Sequence, residues 1–429
     1  MTLTATVHHL EQIPAPALPQ VPPTYNELAQ RFRPIFGRIG EGAVQREKLR
    51  ELPYEPVRWL REAGFGRVRI PQSYGGLGAT IPQLFRLLVE LAEADSNISH
   101  LFRGHFAFLE SRINHTDEAV RQFWFPKVVG GALLGYAMAE LTEVTGTSAT
   151  ITQQEGKWIL NGKKYYSTGT IYADWIVASV LDGEERVSVA LPATSPGVTR
   201  ADDWDGFGQR MTGSGTTIFE QVEIAPENIY RRLTGKDSYA QSYQKAFLQL
   251  ILLASIAGVG RAVKRDAIAF VQPRTRAFGV MGASSPRNDP LVQRVVGRIA
   301  SLSFAADTIV EGIALALQEV HLARLADTAD EALYVETEIK AFQAQQIIIN
   351  LVLEASTLLF EVGGASATSE DRRFDRHWRN ARTAASHNPA IFRERAIGDY
   401  YLNGTVPDAA WIEAEKEKEE ARGRKDISS

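Results

Sequence analysis

The sequence predicts an α+β protein in three parts: an N-terminal helical region, a middle region of short strands forming a small barrel or sandwich, and a C-terminal bundle of long helices. Three observations carry this expectation. Apolar residues recur at helical spacing from about 24 to 135. Short β-rich runs separated by turn residues fill 136–235. Long helical patterns rich in Ala, Gly and Ser, which permit close helix packing, occupy 236–405. At about 150 residues per domain, the 429-residue chain has the length for roughly three domains.

Residues 1–23 hold five prolines and no basic start followed by an apolar run, so they read as an irregular arm and not a signal peptide. Helices are expected over Glu27–Ile39, Pro56–Ala63 and Ile81–Ala94, the last with Leu84, Leu87, Leu88 and Leu91 on one face. Asp95, Ser96 and Asn97 offer stop chemistry before a further helix over Ile98–Glu110. Strands are expected at Lys157–Tyr166, with a hairpin turn at Asn161-Gly162, and at Trp175–Val180, Val187–Leu191 and Thr216–Ile224. Three long helices should follow, over Ser238–Val271, Pro290–Leu325 and Ala329–Phe360. Residues 406–429 are dominated by Glu, Lys and Arg and read as a charged tail.

Composition removes several function classes. The chain has no cysteine, which excludes disulfides, a thiolate nucleophile, iron–sulfur ligation and Cys-based zinc sites. That fits a reducing cytoplasm. A net charge of −4 offers no basic excess for a nucleic acid. The longest apolar runs, Phe247–Gly260 and Ile347–Leu353, fall short of the ~20 residues of a spanning helix, so no membrane partner is expected. His100, His105 and His115 lack a companion carboxylate motif, so no metal is expected.

Specific motifs then take over. Leu60–Gly78 (LREAGFGRVRIPQSYGGLG), Arg210–Ile229 (RMTGSGTTIFEQVEIAPENI) and Phe360–Gly364 (FEVGG) stand in one order along the chain. Together they resemble the acyl-CoA dehydrogenase superfamily over about Tyr25–Gly404. The resemblance implies a helical domain, a middle β domain and a C-terminal four-helix bundle. Dehydrogenases of the family use a carboxylate base, often in a segment resembling R-D-A…Y-E-G-T. Here Arg379-Asn380-Ala381-Arg382 leads to Ala385-Ser386-His387-Asn388-Pro389, without that Glu. Some dehydrogenases place the base on an earlier helix of the bundle.

That stretch resembles the flavin-dependent monooxygenase branch, as do Asp203–Arg210 (DWDGFGQR) with Thr212, Ser214 and Gly215, and His100-Leu101-Phe102 with His105. The group is that of dibenzothiophene and sulfone monooxygenases. It implies a two-component enzyme: reduced FMN, with FAD the alternative, delivered by a separate NAD(P)H-dependent flavin reductase. Dioxygen would form a peroxide at flavin C4a and oxygenate a small aromatic or sulfur-containing substrate. An FAD-dependent acyl-CoA dehydrogenase, an N-hydroxylase or indole-type oxygenase, and a non-catalytic flavin-binding protein are the alternatives.

The resemblance also implies site residues. Thr168 would face the flavin N5 edge and Tyr166 would lie against the ring, with a plain turn Thr as the other reading of Thr168. His387 would donate to the peroxide and return a proton, since an unperturbed imidazole titrates near 6.5; a helix-end His bonded to backbone is the alternative. His100 would be a substrate-side donor, with His105, Gly104 and Trp204 lining the pocket and Gly104 enlarging it. Either histidine could instead be structural, and Trp204 a core residue. The backbone of Tyr136, Ala139 and Glu140 would hold the pyrimidine edge. Arg274 or Arg276, beside Phe278, would grip the phosphate bidentately; both could also be surface charges. Gly363, Gly364, Ala365 and Ser366 would reach a neighbouring subunit's flavin, implying a homotetramer built as a dimer of dimers; a helix C-cap explains Gly363 equally well.

Overall fold

The computed structural model describes residues 21–141, 149–232, 238–275 and 285–407. Most of the expected arm and of the charged tail lies outside them.

Six helices open the chain: α1 (Tyr25–Glu41), α2 (Ala43–Leu49), α3 (Tyr54–Glu62), α4 (Ile81–Leu101), α5 (Arg103–Ile113) and α6 (Glu118–Val129). Capping boxes at Thr24/Glu27 and Thr80/Gln83 set the starts of α1 and α4, each satisfying two otherwise orphaned backbone donors. The expected stop at Asp95 is a kink inside α4, where φ is −158° and ψ 109°. Asp95 Oδ1 accepts from the Asn97 amide at 3.1 Å, a local cap that restarts the helix. A second break at Phe102 starts α5. Phe65 meets Phe102 edge-to-face with ring centroids 5.2 Å apart, which anchors that break in the core. His100 and Arg103 therefore flank a fixed corner.

Eight strands follow: β1 (Leu134–Ala137), β2 (Thr150–Gln154), β3 (Lys157–Lys164), β4 (Trp175–Asp182), β5 (Glu185–Pro192), β6 (Val198–Arg200), β7 (Thr217–Ile224) and β8 (Ile229–Arg232), in one sheet of order β6-β7-β3-β2-β4-β5-β8, with β1 parallel to β4. Two leaves, β6-β7-β3-β2 and β4-β5 with β1 and β8, join through the single pair Thr150↔Leu181. Ile151, Leu160, Phe219 and Val222 of one leaf share a core with Ile176, Ala178, Val189 and Leu191 of the other. Val177 and Ala190 alternate to the opposite face and join the helical core.

The Asn161-Gly162 hairpin expectation is corrected. Strand β3 (Lys157–Lys164) runs straight through that pair. It forms a bulge against β7 (Thr217–Ile224), with Gly162 at φ 124°. The Asn161 side-chain oxygen accepts from the Gln221 backbone N–H at 2.8 Å, so the pair's turn chemistry serves a bulge. The hairpin lies at Glu155-Gly156, between β2 (Thr150–Gln154) and β3.

The C-terminal helices are α7 (Ser238–Val271), α8 (Pro290–Leu325), α9 (Glu331–Leu358), α10 (Asp375–Ala385) and α11 (Ala390–Asn403). Helices α7 to α10 form the bundle, and α4 lies along α7. A Cβ on Gly258 of α7 would sit 2.3 Å from that of Ala92, so only glycine allows this approach. Two helical stretches, Gln241–Val271 and Pro290–Leu325, are long and apolar enough to cross a membrane by length and composition; the first is 89% buried inside the protein and the second 44%. The expectation that no apolar stretch reaches spanning length therefore holds only for uninterrupted runs.

Candidate active site

A line of side-chain hydrogen bonds crosses from the β region to the bundle. Thr168, in the turn after β3, meets Ser214 through hydroxyls 3.0 Å apart. Ser214 meets Thr212 at 2.8 Å, and the Thr212 hydroxyl donates to the Gln209 carbonyl at 3.0 Å. Gln209 is buried at φ 52°, a left-handed conformation that a non-glycine residue holds only when its surroundings over-determine it. Its backbone N–H donates to Asn380 Oδ1 at 2.6 Å, and its side chain lies 3.1 Å from His100 Nδ1.

This network fixes the His100 tautomer. Gln209 Nε2 lies 3.2 Å from the Asn380 carbonyl, which can only accept. Gln209 Oε1 is therefore the acceptor that faces His100, and His100 Nδ1 carries the proton. The opposite nitrogen, Nε2, is an acceptor, buried and without a protein partner. Burial, then the Arg103 charge, lowers the His100 pKa to about 4, with the Gln209 bond opposing. The expectation of His100 as a donor is reversed: it is neutral and presents a lone pair.

His387 is tied in the same way. Arg393, a donor only, bonds Gln249 Oε1, which also accepts from Asn388 Nδ2 at 2.8 Å. Asn388 Oδ1 is left facing His387 Nδ1 at 3.3 Å, so Nδ1 donates and Nε2 accepts. The two imidazoles meet edge-to-face with centroids 6.0 Å apart. His387 keeps accessible surface, yet burial, Arg103 and His100 push its imidazolium well below the usual range. The protonated ring is thus disfavoured, against the expectation of an imidazole titrating near 6.5.

His105 is structural, which corrects its placement in a pocket. Its Nδ1 accepts from the Leu134 backbone N–H at 3.3 Å, and Nε2 donates to the Gly66 carbonyl at 2.7 Å. Gly104 does not enlarge a pocket either: a Cβ there would lie 2.7 Å from the Tyr136 ring, which fills the space. Tyr136 is buried on β1 (Leu134–Ala137), its N–H donating to the Thr168 carbonyl at 3.0 Å. The Ala139 carbonyl accepts from the N–H groups of Tyr165 and Tyr166, so it is already engaged within the protein. Glu140 pairs with buried Lys164 at 2.6 Å. Tyr166 is partly exposed beside Trp204, with centroids 6.2 Å apart, and Trp204 Nε1 donates to the Gly208 carbonyl at 3.1 Å.

The expected phosphate grip lies elsewhere. Arg274 stacks over Phe270 at 4.6 Å, and a Cβ on Gly363 would meet that ring at 2.1 Å. Gly364, Ala365 and Ser366 are exposed on the following turn. Arg274 lies beyond the far end of α7 from Gln249, which holds Asn388. At 1.5 Å per residue, Gln249 and Val271 are about 33 Å apart along the axis. That exceeds the ring-to-phosphate reach of a mononucleotide, so Arg274 and Gly363 cannot serve one ligand together with His387 of the same chain. Arg276 and Phe278 lie outside the described residues.

Sequence reasoning passed over Gln249, Arg393 and Arg103 as site residues. It quoted Gln209, Ser214 and Asn380 only as motif members. Arg103 stands three positions after His100, the signal that could have found it.

The chain matches three family models in order: acyl-CoA dehydrogenase N-terminal domain over residues 29–132, middle domain over 136–222, and C-terminal domain over 250–390. It is 26% identical over 382 residues to the probable FMNH2-dependent monooxygenase SfnC of Pseudomonas putida, covering 87% of this chain and 94% of that protein. The FMN-bound structure of dibenzothiophene monooxygenase TdsC from Paenibacillus sp. A11-2 superposes with a TM-score of 0.82 at 25% identity, covering 89% of this chain and 98% of that one. Methanesulfinate monooxygenase MsuC from Pseudomonas fluorescens does so with 0.80 at 26%, covering 88% and 97%.

Proposed function

The chain belongs to the acyl-CoA dehydrogenase superfamily, and from that premise we propose that it is a two-component flavin monooxygenase. It takes reduced FMN from a separate NAD(P)H-dependent reductase and uses dioxygen to oxygenate a small substrate, S-oxidation first. The observation that carries this reading is the pair of neutral imidazoles presenting Nε2 lone pairs beside the Thr168 hydroxyl line. A dehydrogenase needs a carboxylate base beside its substrate, and the segment that often carries it in the family presents His387 here.

The residues fit FMN. Tyr166 and Trp204 supply flat apolar walls, and Thr168 and Ser214 supply hydroxyls. Buried Ser167 Oγ and His100 Nε2 have no protein partner, as expected of groups that a ligand completes. When bound, reduced FMN supplies two electrons and the capacity to react with dioxygen. The protein does the rest. Thr168 orients a hydroxyl without being consumed. His100 and His387 each accept a hydrogen bond or a proton at Nε2, their tautomers locked by Gln209 and Asn388.

Two finer readings belong to the same proposal. The enzyme is a homotetramer, in which Arg274 and Gly363 of one copy serve the flavin of another. The 33 Å separation supports this, as do the exposed apolar side chains Phe304, Leu315, Leu322 and Leu325 on α8 and Ile391, Phe392 and Leu402 on α11. It works in the cytoplasm, in keeping with a cysteine-free chain.

Rapid mixing tests the reading. Anaerobic protein with reduced FMN meets oxygenated buffer, and absorbance is followed. A transient species that outlives reoxidation of free flavin supports it. Immediate reoxidation, with tight FAD and reduction by an acyl-CoA, overturns it in favour of a dehydrogenase.

A further inference from the structure

Arg103 is a half-buried cation the scheme above does not use. It begins α5 at the corner after His100, and its Nε donates to the Leu248 carbonyl at 3.2 Å. That is its one hydrogen bond, and it forms no ion pair, among the described residues. It is not sealed in, since its side chain keeps partial accessibility. Leu248 precedes Gln249, which holds Asn388 and so His387. Arg103 thus lies near both imidazoles, and its charge opposes protonation of each ring. Arg393 adds a second cation, held by the side-chain oxygens of Gln249 and Gln345.

Three buried arginines elsewhere in the chain are paired with carboxylates. Arg46 meets Asp95 at 2.9 Å, Arg69 meets Glu110 at 3.0 Å, and Arg376 meets Asp266 at 2.8 Å. A guanidinium taken from water without a counter-charge costs several kcal/mol in general, and proteins retain one where a ligand supplies the charge. Arg103 cannot reach the phosphate end expected at Arg274, because it lies with the histidines at the other end of α7. It also leaves two terminal nitrogens, the geometry that binds a planar or pyramidal oxyanion bidentately.

We infer that the substrate is a small organic anion, with a carboxylate- or sulfinate-type group held by Arg103 beside His100 and His387. Calling the occupant a substrate rests on the monooxygenase reading; the anion site itself does not. MsuC, similar in structure, is by name a methanesulfinate monooxygenase.

The test is calorimetric titration of FMN-loaded protein with benzenesulfinate, benzoate and neutral methyl phenyl sulfoxide. The anions should bind at least about tenfold more tightly than the sulfoxide, the scale of one charge-assisted pair. Arg103→Gln should remove that advantage while leaving sulfoxide and FMN affinity unchanged. Arg103→Lys, which keeps the charge, should retain most of it and guards against a folding defect in the first variant. Equal binding of anion and sulfoxide by the wild type overturns the proposal. So does an Arg103→Gln protein that loses FMN affinity instead, which would assign the arginine to the flavin. Benzenesulfinate preferred over benzoate narrows the class to sulfinates. Failure to bind FMN would sink the monooxygenase reading alone, since the anion titration can be run on the apoprotein.

Discussion

His100 and His387 face each other at 6.0 Å, and each is held as the neutral tautomer protonated on Nδ1. One is fixed by an amide from the β region and the other by an amide at the bundle end. Each ring presents an acceptor nitrogen, so a ligand with a proton to share finds an acceptor on either imidazole.

Replacing His387 by Ala removes one of these acceptors. Reduced flavin should still be consumed, but the oxygen should escape as hydrogen peroxide, with product per flavin oxidised falling by about 10²-fold, the lower range for a lost acid–base partner. Peroxide and product measured in one reaction decide it. Coupling at the wild-type level would remove His387 from the mechanism.

Gln209→Glu tests the tautomer lock. A carboxylate still accepts from His100 Nδ1 but cannot donate to the Asn380 carbonyl, and its charge favours the imidazolium. The His100 pKa should rise from about 4, visible by NMR titration of its ring protons. The lost bond to a buried carbonyl should cost about 1–3 kcal/mol of stability. An unmoved titration would show that Gln209 does not set the His100 protonation state.

Acid should weaken the fold in a defined window. His100 and His105 have pKa values lowered to about 4 in the folded chain, by burial first, against an ordinary 6.5. Between those values the unfolded chain binds more protons, so stability rises with pH there. The contribution is complete above 6.5 and is lost on acidification towards 4, on the order of 3 kcal/mol for each ring. Thermal unfolding from pH 7 to 4 measures it, and His105→Gln should flatten the slope. An unchanged slope would move the acid sensitivity to other groups.

Long helical periodicity and the α–β–α order were legible because each is written locally, in spacing and turn residues. His387 and Thr168 stood out through resemblance. What was not legible depends on distant parts meeting. The polarity of His100 is set by Gln209, 109 positions away, through the turn at φ 52°. Asn161-Gly162 carries hairpin chemistry, yet Gln221 across the sheet turns it into a bulge. His105 has the same chemistry as His100, but Gly66 and Leu134 already occupy both its nitrogens. Gly104 is open space only until Tyr136 is placed against it.

Arg274 and His387 belong to different ends of α7, about 33 Å apart along the helix. If one site draws its wall from one copy and its phosphate grip from another, complementation follows. Arg274→Ala alone should weaken FMN binding about tenfold or more, the scale of one charge-assisted contact. His387→Ala alone should uncouple the reaction. In a mixed oligomer, the His387→Ala copy still brings an intact Arg274 to the unaltered wall of the Arg274→Ala copy. Unfolding the two variants together and refolding them should therefore restore coupled turnover in a share of sites, while mixing without exchange should not. Absence of any restored turnover in verified mixed oligomers would place each flavin site within a single chain and would require another cation to hold the phosphate there.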